Sequence, residues 1–132
     1  MTMSHFKTAK LPLMPTGRVP TEHEEQRAFV SIFRKSFSAR IFAIPNGGFR
    51  GKAEAGRLKS EGVSPGVPDL FIPEWDLWLE FKRQKGGRLD SAQKDWHEYL
   101  RGIGHTVKVC KGAEDARRFV VEFVQEKFGD RA

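Results

Sequence analysis

The sequence predicts an α/β domain: a small mixed β-sheet flanked by helices. Three observations predict it. Apolar residues recur at helical spacing over 21–38, 91–101 and 113–128. Short β-branched and aromatic runs fall between them, at 40–45, 69–73, 77–83 and 105–110. The resulting order of helix, strand, strand pair, helix, strand, helix calls for a mixed sheet with helices packed on it.

The totals agree. A chain of 132 residues with 11 phenylalanines is enough for one domain with a real core. Formal net charge is +6 and the sequence pI is about 9.7, a surplus that favours polyanionic partners. The single cysteine, Cys110, excludes a disulfide framework and a cysteine-built zinc site, and fits a reducing cytoplasmic setting. No apolar run is long enough to span a bilayer. The opening segment, 1–20, has basic residues and no acidic one, and Pro12, Pro15 and Pro20 interrupt it. It is expected to be a flexible basic arm, not a signal peptide, ahead of a folded domain at 21–132.

Each element has a local reason. Thr21 followed by Glu24 is a capping box, and Phe29, Val30, Phe33 and Phe37 make the apolar stripe of the first helix. RIFAIP, 40–45, reads as a strand. Residues 46–68 read as a Gly-rich basic loop, with a short helix in KAEAGRLKSEG that stops at Gly62. Two apolar strands, 69–73 and 77–83, flank a bend at Pro73-Glu74-Trp75-Asp76. The helix at 91–101 is capped by Asp90 or Ser91 and is expected to stop at Gly102. HTVKVC follows as a strand, and the last helix turns Ala116, Phe119, Val120, Phe123 and Phe128 toward the core.

The strand pair carries charges where a core wants aliphatic residues. By strand alternation Leu77, Leu79 and Phe81 share one face, and Trp78, Glu80 and Lys82 share the other. A reversal at Glu74-Trp75 pairs Ile72 with Leu77, Leu70 with Leu79, and Asp69 with Glu80. The two carboxylates then stand on one face with Cβ atoms about 5 Å apart. Like charges so placed repel, unless a divalent cation such as Mg²⁺ or Mn²⁺ lies between them. The Phe81 backbone carbonyl offers a third ligand. Lys82 sits beside the ion, where its ammonium can orient an attacking water or offset growing negative charge. An exposed hairpin face with a solvated Glu80–Lys82 pair is the plainer alternative.

These residues, with GVSPGVPDLF, LWLEFKRQKGGRLDSAQKDWHEYL and IPNGGFR around them, resemble the PD-(D/E)XK nuclease superfamily. More narrowly, the chain resembles short stand-alone VRR-NUC domains (virus-type replication-repair nucleases) of phages and bacteria, from about Thr21 to Glu126. The resemblance implies a PD-(D/E)XK restriction-endonuclease-like core, Asp69 and Glu80 as ligands of Mg²⁺ or Mn²⁺, and Lys82 as the catalytic lysine. It also implies a glutamine on the next helix, matched by Gln93, and an acid on the first helix. Glu24 is already occupied by its cap. Glu22 is the choice, with Gln26 one turn on as support and Glu25 as fallback.

Asn46, Gly47 and Gly48 can bring backbone N–H groups close to a phosphate. Arg50, Lys52, Arg57 and Lys59 lie on one flank of the site, and Arg83, Lys85 and Arg88 on the other. Basic flanks around an acidic pocket suit a duplex held by its phosphates. His97 and His105 have no metal-motif spacing and are read as surface or satisfied residues. No sequence-reading module is visible, so recognition by shape is expected. The resemblance implies a homodimer acting on four-way (Holliday) junctions, its contact drawn from the last helix or Phe49. The alternatives are a nuclease of the same fold acting on flaps, ends or nicked duplex, and a non-catalytic DNA-binding protein.

Overall fold

The structure, a computed structural model, describes residues 3–45 and 51–129. Its elements are α1 (Met3–Thr8), α2 (Glu22–Ser36), β1 (Phe42–Ala43), α3 (Lys52–Ser60), β2 (Leu70–Ile72), β3 (Leu77–Lys82), α4 (Ser91–Gly102), β4 (Thr106–Lys111) and α5 (Ala113–Phe128). A single 3₁₀ turn, Pro73–Trp75, joins β2 to β3. The four strands form one sheet in the order β1-β2-β3-β4. The first two pairings are antiparallel and β3 pairs with β4 in parallel, with α4 as the crossover between them. This is the mixed sheet the sequence predicts.

The two faces of the sheet have different chemistry. Leu70, Ile72, Leu77, Leu79, Phe81 and Cys110 are fully buried in the core beneath α2 and α5. Phe29 of α2 packs on Phe81 with ring centroids 5.8 Å apart, and Ala116, Val120 and Val124 of α5 complete that layer. Phe119, Phe123 and Phe128 lie at its partly buried margin. Strand alternation sends Asp69, Phe71, Trp78, Glu80 and Lys82 to the other face, where α4 packs.

The expected β2–β3 register is the observed one: Ile72 pairs with Leu77 and Leu70 with Leu79. The connection is not a tight reversal at Glu74-Trp75. Pro73 opens a 3₁₀ turn, Trp75 buries its ring against Phe33 and Phe37, and Asp76 takes a left-handed conformation (φ 48°). Pro73 fixes the entry, and Asp tolerates the positive φ better than most residues.

Other elements depart from expectation. The opening segment is not simply a flexible arm. α1 inserts Phe6, wholly buried, against Phe29, Phe33 and Phe37. The aromatic stripe on α2 has an unfilled face, and Phe6 is the apolar group near enough in sequence to fill it. The Arg117 guanidinium donates to the Ala9 carbonyl and holds the end of α1 to α5. The strand at 40–45 shrinks to two paired residues; just before it the Arg34 side chain donates to the Ile41 carbonyl, which takes the place of a strand partner there. α4 runs through Gly102. Gly104 (φ +98°) makes the stop, where its N–H and that of His105 return to the carbonyls of Arg101 and Leu100. α2 starts with the capping box foreseen, and Arg18 grips the Glu24 carboxylate at 2.8 Å. That contact, more than the cap, holds Glu24 down near 2.

Replacing Phe6 with Ala is expected to cost about 3 kcal/mol in urea unfolding. A loss near zero would mean that α1 contributes nothing to the core.

Candidate active site

Glu80 is the centre of the site and is almost wholly buried. Asp69 stands beside it on the adjacent strand, one position beyond the Leu70–Leu79 pair. The Asp69 carboxylate accepts the Phe81 N–H at 2.6 Å, replacing a ladder acceptor just before β2 begins. Its own backbone bonds the other way, the Asp69 carbonyl accepting from Ile44 N–H at 2.8 Å. Asp69 is thereby held from both sides.

Two side chains of α4 hold Glu80. Gln93 Nε2 donates to Glu80 Oε2 at 3.3 Å, and His97 Nε2 lies 3.1 Å from Glu80 Oε1. Gln93 also closes a capping box with Asp90: its Oε1 accepts the Asp90 N–H and its own N–H donates to Asp90 Oδ1. The cap fixes the glutamine and the glutamine fixes the glutamate. The loop before β2 approaches α4 so closely that a Cβ at Gly66 (φ +93°) would lie 2.5 Å from the Ala92 carbonyl group. Only glycine fits there.

Burial first, and then the charge of Asp69 and a hydrogen bond shared with it, push the Glu80 carboxyl up to about 9; Lys82 opposes the shift and Glu22 adds to it. Burial also pushes His97 down, with Arg101 adding to the effect. The imidazole is therefore neutral. Its Nδ1 is buried with no hydrogen-bond partner, so the proton belongs on Nε2, where it is donated to Glu80. A proton on Nδ1 would instead be a buried N–H with no acceptor.

The pair opens into a cleft of about 540 Å³ whose walls include Glu22, Gln26, Pro45, Gly66, Asp90 and Gln93. Among the first-helix acids, Glu22 faces this cleft. Glu25 does not. It is buried, taking Gln84 Nε2 at 2.7 Å and the Ala113 N–H at 3.2 Å, and so ties α2 to the start of α5. Lys82 continues the Glu80 face of β3 and is nearly buried, its Cβ packed close to Gly87. Arg83 reaches back to the Val19 carbonyl at 3.1 Å, and Lys85 and Arg88 are exposed on the loop before α4. Lys52 opens α3, which is exposed except at Leu58 and also carries Arg57 and Lys59. Asn46, Gly47, Gly48, Phe49 and Arg50 lie outside the described residues.

Sequence reasoning passed over His97. The signal was present: 93 and 97 are one helical turn apart, so a glutamine turned inward brings the histidine with it. His105, also read as ordinary, accepts Trp78 Nε1–H at 2.8 Å at the far end of the same face.

The residues fit a divalent cation. Two carboxyls stand in contact, one kept protonated chiefly by its burial and then by its neighbour, with Lys82 offsetting the conflict only in part. Phe81 turns its N–H toward Asp69, and a residue in a strand directs its N–H and C=O to the same side. Its carbonyl therefore also faces the carboxylate pair. Among the described residues no group of three or more His, Cys, Asp or Glu side chains converges on one point, so a cation bound here would need backbone and water as its remaining ligands.

A solved structure described as a VRR_NUC domain protein matches this fold with a TM-score of 0.67 at 26% identity, over 82% of this chain and 91% of that one. This is the VRR-NUC fold. No protein-family model and no curated protein matches the chain. Asp69, Glu80 and Gln93 line one cleft, and Lys82 follows Glu80 on the same strand face.

Without divalent cation, Glu80 should contribute a downward slope of stability as pH rises from about 4.5 to about 9, because folded Glu80 keeps a proton that the unfolded chain releases; below about 6.5 the depressed His97 acts in the opposite direction. Glu80→Gln should flatten that slope in urea titrations across the range. An unchanged slope would show that Glu80 ionises normally.

Proposed function

We propose that the protein is a metal-dependent, structure-selective DNA endonuclease that hydrolyses phosphodiester bonds. The observation that carries this reading is the carboxyl pair Asp69–Glu80, followed on the same strand face by Lys82, at the wall of an open cleft in a VRR-NUC fold.

Asp69, Glu80 and the Phe81 carbonyl would hold Mg²⁺ or Mn²⁺. When bound, the cation would supply Lewis-acid activation and charge stabilisation. The chain's own groups do the rest. Gln93 and His97 hold the Glu80 oxygens in place, which keeps the pair aimed at one point. Lys82 presents an ammonium where it can orient the attacking water and offset charge that grows on the phosphoryl oxygens. Glu22, with Gln26 beside it, faces the same space from α2 and can accept a hydrogen bond from that water. The basic surplus, +6 overall, holds the polyanion to a site that is itself acidic.

Branched duplex DNA is the proposed substrate. A chain with one such cleft cuts both strands of a four-way junction only as a pair, so a homodimer is the proposed working form on that substrate. Flaps, ends and nicked duplex are the alternative for the same chemistry. The partly buried Phe119 and Phe123 of α5 are available to a dimer contact. No helix among the described residues is long and apolar enough to cross a membrane.

Cleavage of labelled four-way junctions, flaps, nicked duplex and linear duplex with Mg²⁺ or Mn²⁺ tests this reading. Lys82→Ala is expected to lower the rate about 10²-fold or more, and Asp69→Asn and Glu80→Gln to abolish it. Wild-type rates in these variants would remove the active-site assignment. Binding of branched DNA without cutting in either metal would leave a non-catalytic binding protein. His97→Leu is expected to raise the metal concentration for half-maximal cleavage about 10-fold or more, with little change in rate at saturating metal.

A further inference from the structure

A second groove adjoins the cleft. It has a volume of about 480 Å³ and runs between the outer side of α2 and β1. His23, Gln26 and Ala43 line both spaces, so the groove lies directly alongside the cleft. Beyond them its α2 wall carries Arg27 and Arg34, both exposed. No carboxylate lines it among the described residues. Its other wall holds Phe42, which is 45% exposed and is braced edge-on by Phe71 at 5.9 Å.

The spacing suits a chain molecule. From His23 to Arg27 to Arg34 the helix rises about 6 Å and then about 10 Å. The polar groups thus form a row leading away from the carboxyls. Cations along one wall and an open aromatic ring on the other are what unpaired nucleotides require: phosphates meet the guanidinium groups, and a base meets the ring. Paired bases are already stacked on their neighbours and have no free face for Phe42.

We propose that this groove binds a single-stranded segment of nucleic acid, its phosphates on Arg27 and Arg34 and one base on Phe42, as it leaves the cleft. The proposal rests on the nuclease reading for its position. Among branched substrates it favours forks and flaps, which carry an unpaired strand, over fully paired junctions.

Binding of a labelled forked duplex and of a blunt duplex, followed by fluorescence anisotropy from about 50 to about 200 mM salt, tests it. Every protein carries Asp69→Asn so that nothing is cut. The parent is expected to bind the fork more tightly than the blunt duplex. Arg27→Gln/Arg34→Gln should reduce the slope of log affinity against log salt for the fork by about 1.4, at about 0.7 per phosphate contact on a single strand. Arg27→Gln alone leaves the Arg34 bond to Ile41 intact and should account for about half of that. Phe42→Leu keeps apolar bulk without the ring and should weaken fork binding about five-fold or more, with blunt duplex unaffected. Arg118→Gln/Lys127→Gln removes the same charge from α5 and should leave the fork slope near that of the parent. The proposal is overturned if the α2 pair and Phe42→Leu bind like the parent, or if the α5 pair lowers the slope as much. Fork binding that depends on Arg27, Arg34 and Phe42, in a protein whose wild type cuts nothing with Mg²⁺ or Mn²⁺, would support the groove and refute the nuclease reading.

Discussion

Two carboxyl groups face each other across neighbouring strands, and the rest of the site is arranged around that conflict. Asp69 and Glu80 oppose one another because β2 and β3 pair in one register and no other. A slip of β2 by one residue against β3 would send its side chains to the wrong face. It would take Leu70 and Ile72 out of the core and turn Asp69 toward the phenylalanine layer. The apolar half of each strand therefore enforces the position of the polar half. Trp75 supports the register from the turn, since its ring is locked between α2 and α5.

The surrounding groups meet the cost of burying Glu80 without removing its charge conflict. Gln93 and His97 each satisfy one oxygen, and neither brings a positive charge, because the imidazole is held neutral. A salt-bridging arginine in either place would neutralise the pair and leave no reason for a cation to bind. The neighbouring Glu25 shows the contrast. It is equally buried, yet its oxygens are taken by Gln84 and the Ala113 N–H at the start of a helix, where a carboxylate is stabilised outright. Of two glutamates three positions apart on α2, Glu25 joins helices and Glu22 looks into the cleft.

The distribution of charge follows the same division. Acidic groups line the cleft, and the basic surplus lies around it, on α3, on the loop before α4 and along α2. Many of these cations are exposed and engaged only at the surface, as with Arg57 and Glu61. Such pairs are worth little in stability. Their contribution is to the field that a polyanion meets on approach.

How much could be read in advance follows from the range of each interaction. The helix caps at Thr21 and Asp90, the strand alternation at 77–82 and the Ile72–Leu77 register are local, and the sequence alone determined them. The opposition of Asp69 and Glu80, and the inward turn of Gln93, follow from those local facts. Other features join residues distant in the chain, and only the tertiary structure decided them. Phe6 closes the core because α1 meets the stripe on α2, and composition alone reads that segment as an arm. His97 becomes a partner of Glu80 only when α4 crosses over β3. Glu22 and Glu25 separate only when α5 arrives to claim one of them. Periodicity states which side of an element a residue occupies, but packing across the chain decides what it meets there.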